Sequence, residues 1–227
     1  MSTEHVGRGH VVRTLSTETH GRYLVRVPSG SAPWPMLVGF HGYGESAETH
    51  LNELLRIPGT DEWLVVAVQA LHPFYAKAGG VVTSWMTSQD RELAIADNLH
   101  YVGRVLEQLH TEHPVQAPLA FVGFSQGGAM AYRAAARYSA DAVLILAADV
   151  PPDVASGPHR VPPVLIGRGR QDRWYTAEAL DDDRAVLTRL EVAVEVCEFD
   201  DGHIWTDVFR DAAARVLDRL RTGAGTA

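Results

Sequence analysis

The sequence predicts an open α/β fold, in which a mostly parallel β-sheet is covered by helices on both faces. Short apolar runs alternate along the chain with longer amphipathic runs, as strands and helices do in such sheets. The apolar runs are continuous, as in 142–147 and 163–167, and strands of this kind are buried on both faces. We expect one domain over residues 1–227, with a frayed tail at 222–227.

The individual elements follow from these patterns in chain order. Residues 11–16 and 23–27 are expected to form a leading antiparallel pair. The helix predicted over 91–110 has the clearest signal, because apolar residues recur there at spacings of three and four. The segment 70–89 follows a strand and is expected to cross the rim of a functional cleft. Further strands are predicted at 35–41, 63–68, 119–123, 142–147, 163–167 and 192–199, and further helices at 46–55, 129–136, 177–190 and 208–220.

Composition and charge argue against several classes of function. A formal net charge of −8 disfavours a surface for nucleic acid or anionic membrane. No apolar run reaches the roughly 20 residues that span a bilayer, and the first residues lack the apolar segment of a targeting signal. The only cysteine, Cys197, is expected to be a buried structural thiol, and a cytoplasmic location is favoured. No metal-ligand cluster or phosphate-binding glycine loop is visible, so we expect neither a metal nor an organic cofactor.

A Gly-x-Ser-x-Gly pentapeptide is the most informative local pattern. It lies between the apolar run 119–123 and the alanine-rich run 129–136. A strand, a sharp turn and a helix in this order would expose the Ser125 hydroxyl in a cleft, beside the first amides of the helix. Gly123 and Gly127 fit, because side chains there would collide with the neighbouring strand and helix. The alternative is a serine in an ordinary glycine-rich turn.

A serine nucleophile needs a base, and the base needs an acid that holds its tautomer. Functional residues of open α/β sheets lie just after strands, and among eleven histidines His203 directly follows the last predicted strand. Asp172 follows the penultimate strand and is the expected acid, with Asp149 after the preceding strand as the alternative. We interpret the aspartates at 181–183 as a solvated helix face. Those at 200–201 lie too near the histidine in sequence to reach its ring easily.

The oxyanion of an acyl transfer needs preorganised N–H donors. The backbone N–H of Gln126, the residue after the nucleophile, is one expected donor. The second is expected from the turn His41-Gly-Tyr-Gly44 after an earlier strand, through the backbone N–H of Tyr43. We interpret His41 as a side chain that stabilises this turn rather than as a second base. The Tyr43 side chain either lines an acyl pocket or covers the turn.

Together these residues resemble the α/β-hydrolase superfamily and, within it, the small phospholipase/carboxylesterase group that includes acyl-protein thioesterases and bacterial carboxylesterases. The order serine, aspartate, histidine along the chain is that of α/β-hydrolases. Gly123-Phe-Ser-Gln-Gly-Gly128 is typical of the group, and the stretch Arg91–Asn98 also looks like it. The resemblance covers roughly residues 34–220. It implies the α/β-hydrolase fold with no large lid, and therefore an open, shallow site.

Two departures from the group leave the triad intact. The acid loop reads Gly169-Arg-Gln-Asp-Arg-Trp-Tyr175, where many members have His-Gly before the acid and Val-Pro after it. Two aspartates precede the base, where an apolar residue and glycine are common. Both departures lie beside the site, so the resemblance does not carry a particular substrate over to this chain.

Four side chains are candidates for contacting substrate. Trp85 and Trp174 lie near strand ends and are expected to line an acyl or alcohol pocket. The alternative for Trp174 is packing against the final helix. Arg168 and Arg170 either bind an anionic group of the substrate or belong to a charged surface loop.

These observations predict a serine hydrolase that cleaves small-molecule carboxylic esters through an acyl-enzyme. A thioesterase or acyl transferase is an alternative with the same triad, because pocket shape decides the leaving group. A non-hydrolytic ligand-binding protein on the same fold is a third interpretation. The complete triad and both oxyanion signals disfavour it.

Overall fold

The computed structural model describes residues 11–77, 79–157 and 160–223, and a seven-stranded sheet lies at its centre. The strands are β1 (Arg22–Arg26), β2 (Trp34–Phe40), β3 (Leu64–Gln69), β4 (His72–Tyr75), β5 (Val81–Ser84), β6 (Val115–Phe124), β7 (Ala142–Leu146), β8 (Val164–Gly169) and β9 (Val194–Phe199). Their order across the main sheet is β1-β3-β2-β6-β7-β8-β9, while β4 and β5 form a separate antiparallel ribbon. Only β1 runs antiparallel to its neighbour, so the sheet is mostly parallel, as predicted.

Helices cover both faces of this sheet. Side chains at Gly39 of β2 and Gly167 of β8 would point at helices on one face, meeting Leu54 and Phe209 respectively. Val122 of β6 pairs with Gly39, and successive residues of a strand face opposite sides of the sheet. A side chain at Gly123 would therefore point to the other face, where it would meet a different helix. The helices are α1 (Ala47–Leu55), α2 (Arg91–Glu112), α3 (Gln126–Arg137), α4 (Pro152–Ser156), α5 (Ala177–Arg189) and α6 (Asp207–Thr222).

Local sequence fixes where three of these helices begin. Ser46, Thr176 and Thr206 precede α1, α5 and α6, and each side-chain oxygen accepts a hydrogen bond from the backbone N–H three residues later. Such caps satisfy an otherwise unpaired helix amide and stabilise a helix by about 1 kcal/mol each. The capped starts of α5 and α6 follow the loops that carry the candidate acid and base.

The prediction that residues 11–16 and 23–27 form an antiparallel pair is wrong. Residues 11–21 form no regular element, and β1 instead pairs antiparallel with β3, placing Tyr23 opposite Val68. A free two-stranded ribbon is marginal in water, whereas the edge of a large sheet supplies partners for the backbone of β1 and partly buries Leu24.

Two further expectations need correction. Thr222 is not part of a frayed tail but the last residue of α6, because Gly223 adopts a left-handed conformation (φ 70°) that caps the helix. Residues 224–227 of that tail lie outside the described residues. Cys197 is half-buried rather than fully buried, and its thiol lies 3.7 Å from the carbonyl oxygen of Val208.

A histidine inside the core lies close to the site without belonging to it. His50 of α1 is fully buried between Gly39 and the ring of Trp205, whose centre is 5.7 Å away. Neither ring nitrogen has a hydrogen-bond partner among the described residues. Burial, and then the nearby His41, lower the pKa of His50 to about 3, so the folded protein holds it neutral.

We predict that His50→Leu weakens the pH dependence of folding stability. The unfolded chain protonates this histidine below about pH 6.5, whereas the folded protein does not, so its contribution to stability is present above that pH and is lost as pH falls toward 3. Between about pH 8 and pH 5, urea unfolding should show wild type losing about 2 kcal/mol more than the variant. His100→Leu, at an exposed position on α2, is the control. Equal losses in wild type and His50→Leu would contradict the assignment.

Candidate active site

The candidate nucleophile lies on a strained turn between β6 and α3. Ser125 has φ 53° and ψ −124°, a conformation that residues other than glycine rarely adopt. Its N–H donates to Leu146 O over 2.9 Å, and its carbonyl accepts from Gly128 N over 2.8 Å. A Cβ atom at Gly127 would lie 2.1 Å from the carbonyl oxygen of Phe40, so only glycine fits. The turn is held by β2 and β7 on either side.

The candidate base and acid are joined directly. His203 Nδ1 lies 2.7 Å from Asp172 Oδ2, and the Asp172 side chain is 0% exposed. The other carboxylate oxygen, Oδ1, accepts from the backbone N–H groups of Trp174 (2.8 Å) and Tyr175 (3.0 Å). Because a carboxylate accepts, Nδ1 carries the proton in neutral His203, and Nε2 is left with a free lone pair.

Ser125 and His203 line one cavity of about 290 Å³. Among the hydrogen bonds of the described residues, none joins the serine hydroxyl to the imidazole; such contacts are often long before substrate binds. The histidine ring packs against Phe124 and Trp174, with ring centres 4.9 and 5.1 Å away. The alternative acid, Asp149, also lines this cavity. Burial and the nearby Asp172 raise the pKa of Asp149, and its carboxylate makes no hydrogen bond to the histidine.

The two expected oxyanion donors have N–H groups without an acceptor within the described ranges. In the turn after β2, Gly42 N donates to the Glu45 carboxylate over 2.8 Å, and Gly44 N donates to Thr83 O over 3.0 Å. The amide of Tyr43 between them is therefore the one this turn leaves available. The amide of Gln126, at the first position of α3, is likewise unpaired, as helix-start amides are.

His41 holds this turn from beneath, as the sequence suggested. Its Nδ1 donates to Gly42 O over 2.7 Å, and its Nε2 accepts from Ala70 N (3.1 Å) and the Thr83 hydroxyl (2.7 Å). Burial lowers the pKa of His41 to about 4, so the ring stays neutral and both nitrogens are occupied. It has no free lone pair with which to act as a second base.

The structure contradicts the expectation that Trp85 lines the substrate pocket. The indole is fully buried against Phe40 and donates to His41 O over 2.8 Å. Met86 lines the cavity instead. The Gln126 side chain fixes this arrangement, because its oxygen accepts from Trp85 N and its amide donates to Met86 O, both over 2.9 Å. Sequence reasoning missed this structural role of the glutamine side chain; its place inside the Gly-Phe-Ser-Gln-Gly-Gly motif was the only signal.

Trp174 and Tyr43 have different positions relative to the cavity. Trp174 lines the cavity, is 77% exposed and meets His203 edge-on. The Tyr43 side chain stacks on Phe74 of β4, with ring centres 5.4 Å apart, and so covers the turn rather than an acyl pocket.

Both arginines beside the acid loop are already paired with carboxylates. Arg168 is buried, and its guanidinium donates to Glu198 over 2.7 Å and to Tyr175 O over 3.2 Å. Arg170 is exposed and pairs with Asp200 over 2.9 Å. Neither lines the cavity around the candidate nucleophile. Arg170 therefore fits the surface-loop interpretation, whereas Arg168 braces the loop from within.

A buried carboxylate links the acid loop to the cavity wall. Asp183 of α5 accepts from the Tyr175 hydroxyl over 2.8 Å and from Val150 N over 2.9 Å. Tyr175 also donates its N–H to Asp172, and Val150 lines the cavity. The interpretation of Asp183 as part of a solvated helix face is therefore wrong. Its spacing of three and four residues from Leu180 and Leu187, both buried, was the available signal.

Metal-binding and membrane-spanning features are not found in the part of the chain that the structure describes. Within the described ranges, no group of three or more His, Cys, Asp or Glu residues is placed to hold a metal ion. No helix in those ranges is both long and apolar enough to cross a membrane.

Comparison with solved structures identifies the fold. The carboxylesterase of Bacillus cereus is similar with a TM-score of 0.70 and 16% sequence identity, over 88% of this chain and 94% of that chain. The chain has the α/β-hydrolase fold. Acyl-protein thioesterase 2 of Zea mays has a TM-score of 0.69 and 18% identity, over 88% of this chain and 99% of that one. Esterase PE8 has a TM-score of 0.67 and 22% identity, over 88% and 98%.

The sequence comparisons give no such match. No protein-family model matches the chain, and no curated protein sequence is similar to it. Structural similarity therefore confirms the predicted fold. The sequence identities are too low to assign a reaction or a substrate, which must follow from the site.

We predict that Asp183→Asn alters stability in a pH-dependent way. Burial, then the charges of Asp149 and Asp182, raise the pKa of Asp183 to about 6, although hydrogen bonds from Val150 N and the Tyr175 hydroxyl oppose the shift. The folded protein binds this proton more tightly than the unfolded chain does. The contribution to stability is thus present below about pH 4 and is lost as pH rises through 6, by about 3 kcal/mol.

Urea unfolding between about pH 4.5 and pH 7.5 tests this prediction. The amide introduced by Asp183→Asn cannot ionise, so the variant should lose less stability than wild type over this interval. Asp181→Asn, at a nearby exposed position on α5, is the matched control, because the charge of Asp181 is not among the causes of the shift. A variant with the wild-type pH dependence would show that Asp183 does not titrate in this interval.

Proposed function

We propose that this protein is a serine hydrolase that cleaves carboxylic esters through an acyl-enzyme. One observation carries the proposal: the Asp172–His203 hydrogen bond of 2.7 Å orients an imidazole into the same cavity as Ser125 on its strained turn. Acid, base and nucleophile come from three strand ends that a parallel sheet brings to one edge. The neighbours named carboxylesterase, esterase and acyl-protein thioesterase support membership of the carboxylesterase group.

In the first half-reaction the acyl group moves to the enzyme. Ser125 Oγ forms a bond to the ester carbonyl carbon as its proton passes to His203 Nε2, and Asp172 stabilises the resulting imidazolium. The negative charge on the carbonyl oxygen is held by the N–H groups of Tyr43 and Gln126. A single donor of this kind contributes roughly 2.7–4 kcal/mol to transition-state stabilisation. The carbon–oxygen bond to the alcohol then breaks, and the imidazolium gives its proton to the leaving oxygen.

In the second half-reaction water releases the acid. Nε2 of His203 takes a proton from water as the water oxygen bonds to the acyl carbon, and the same two amides hold the new oxyanion. Collapse of this intermediate breaks the bond to Ser125 Oγ, which recovers the proton from the imidazolium. No redox step occurs, so the balance needs only ester and water. A thioester would follow the same steps with a thiol as leaving group.

Replacing the nucleophile tests the proposal directly. Ser125→Ala should lower kcat on p-nitrophenyl acetate by at least about 10³-fold, because no other hydroxyl occupies the turn. A fluorophosphonate probe should label Ser125 in wild type, identified by peptide mass, and should not label the variant. Ser88→Ala, at an exposed serine, is the control. Equal hydrolysis by wild type and Ser125→Ala would refute the proposal, whatever the leaving group.

The leaving group is defined by a separate comparison. The rates at which wild type hydrolyses oxygen esters and thioesters of the same acyl chain are measured side by side.

The identity of the acid can be tested with two variants. Asp172→Asn should reduce kcat by roughly 10³–10⁴-fold, because an amide no longer stabilises the imidazolium and permits the wrong tautomer. Asp149→Asn should retain activity within about tenfold, since its carboxylate does not contact the base. Both variants are measured in the same ester assay, with thermal unfolding to verify folding. A larger loss for Asp149→Asn would assign the acid to the loop after β7.

A further inference from the structure

A second cavity adjoins the active-site cavity. It encloses about 560 Å³, against about 290 Å³ around Ser125, and lies between α2, α3 and α4. The two cavities share Arg91, Arg133 and Pro152 as lining residues, so they adjoin along a common rim. We refer to the second cavity as the α2–α3 groove; it is lined by Arg91, Ile95, Leu99, Arg133, Arg137 and Pro152, among others.

The wall common to both cavities is rigid. Arg133 is only 4% exposed, and its guanidinium binds Asp153 of α4 through two hydrogen bonds of 2.8 and 2.7 Å. It also donates to Ala129 O over 3.4 Å. A bidentate pair of this kind fixes α4 against α3 and neutralises the aspartate. The rim between the two cavities is therefore part of the folded structure.

The groove combines an apolar floor with an excess of arginine. Ile95 and Leu99 present half-buried side chains one helical turn apart on α2. Three arginines and two carboxylates line the groove, in a chain whose net charge is −8. Within the described ranges, neither Arg91 nor Arg137 forms an ion pair. Arg91 is the first residue of α2, where a positive charge opposes the helix dipole, so helix stability does not explain it.

The position of the groove fits the acyl side of the scissile bond. The leaving oxygen must lie next to the imidazole that protonates it, on the wall formed by His203 and Trp174. Neither residue lines the groove, which begins on the side of α2 and α3. From Ala129, which lines the active-site cavity, α3 runs eight residues to Arg137, a rise of about 12 Å. An extended chain of about ten carbons covers this distance.

We propose, on the basis of the esterase function above, that the substrate is an ester whose acyl chain lies in the α2–α3 groove and ends in a carboxylate bound by Arg137. The floor of Ile95 and Leu99 takes the methylene chain, and Arg91 raises the potential along its path. Asp149 in the active-site cavity repels an anion near Ser125, which places the carboxylate at the far end of the groove. The substrate class is thus monoesters of long dicarboxylic acids.

Two pairs of chromogenic esters test this inference: p-nitrophenyl decanoate with the p-nitrophenyl monoester of decanedioic acid, and the corresponding six-carbon pair. The readout is the ratio of kcat/KM for the acid over the neutral ester of equal length. Wild type should give a ratio of about ten or more at ten carbons, and near or below one at six, where the chain does not reach Arg137. Arg137→Gln should reduce the ten-carbon ratio about tenfold, and Arg91→Gln should reduce it less. Arg104→Gln, an exposed arginine on α2 outside the groove, should leave it unchanged.

The outcomes separate this inference from the proposed function. If hydrolysis requires Ser125 but the ten-carbon ratio is near one, the anionic acyl chain is refuted and the proposed esterase function is not. A ratio that persists in Arg137→Gln refutes the assigned binding residue. If Ser125→Ala hydrolyses every one of these esters as fast as wild type does, the proposed serine esterase function is itself refuted.

Discussion

The close approach of α3 to the end of β2 is the constraint on which the site depends. At Gly127 a Cβ atom would lie 2.1 Å from the Phe40 carbonyl oxygen, and at Gly123 it would lie 2.4 Å from the carbonyl oxygen of Gly127. Only glycine allows the helix to start so near the sheet, and this closeness forces Ser125 into positive φ. The same closeness brings the first turn of α3 against the backbone at 40–41, just before the turn after β2. The strained turn of the candidate nucleophile and its nearness to the turn after β2 therefore have a single physical cause.

Around this point, buried polar side chains fix the loops that leave the strand ends. His41 ties the turn after β2 to Thr83 of the β4–β5 ribbon, and the Gln126 side chain ties α3 to the backbone at 85–86. On the other side, Asp172 binds the backbone of its own loop, while Asp183 joins that loop to the wall after β7. Each of these groups is buried or partly buried and satisfied by several hydrogen bonds, which is how low-dielectric surroundings make polar networks rigid.

The order of strands and helices in the main sheet could be predicted from the sequence, because continuous apolar strands and amphipathic helices have distinct hydrophobic patterns. The sequence also pointed to the residues at strand ends, since topology brings those ends together. The β4–β5 ribbon was missed because each strand has only four residues and β4 is largely exposed, so the hydrophobic pattern is weak. Trp85 and Asp183 were misjudged for a related reason. Whether a side chain after a strand, or within an acidic run, faces the core depends on tertiary packing that local pattern does not contain.

Several of the hydrogen bonds that build the candidate site join residues far apart in the chain. They connect positions separated by 29 residues for His41 and Ala70, 31 for His203 and Asp172, and 41 for Gln126 and Trp85. Contacts of this range form only after the entropy cost of closing large loops has been overcome. The candidate site draws on the ends of β2, β6, β8 and β9, so any hydrolysis that it supports would return during refolding only when these strands have assembled, and not when any one element forms.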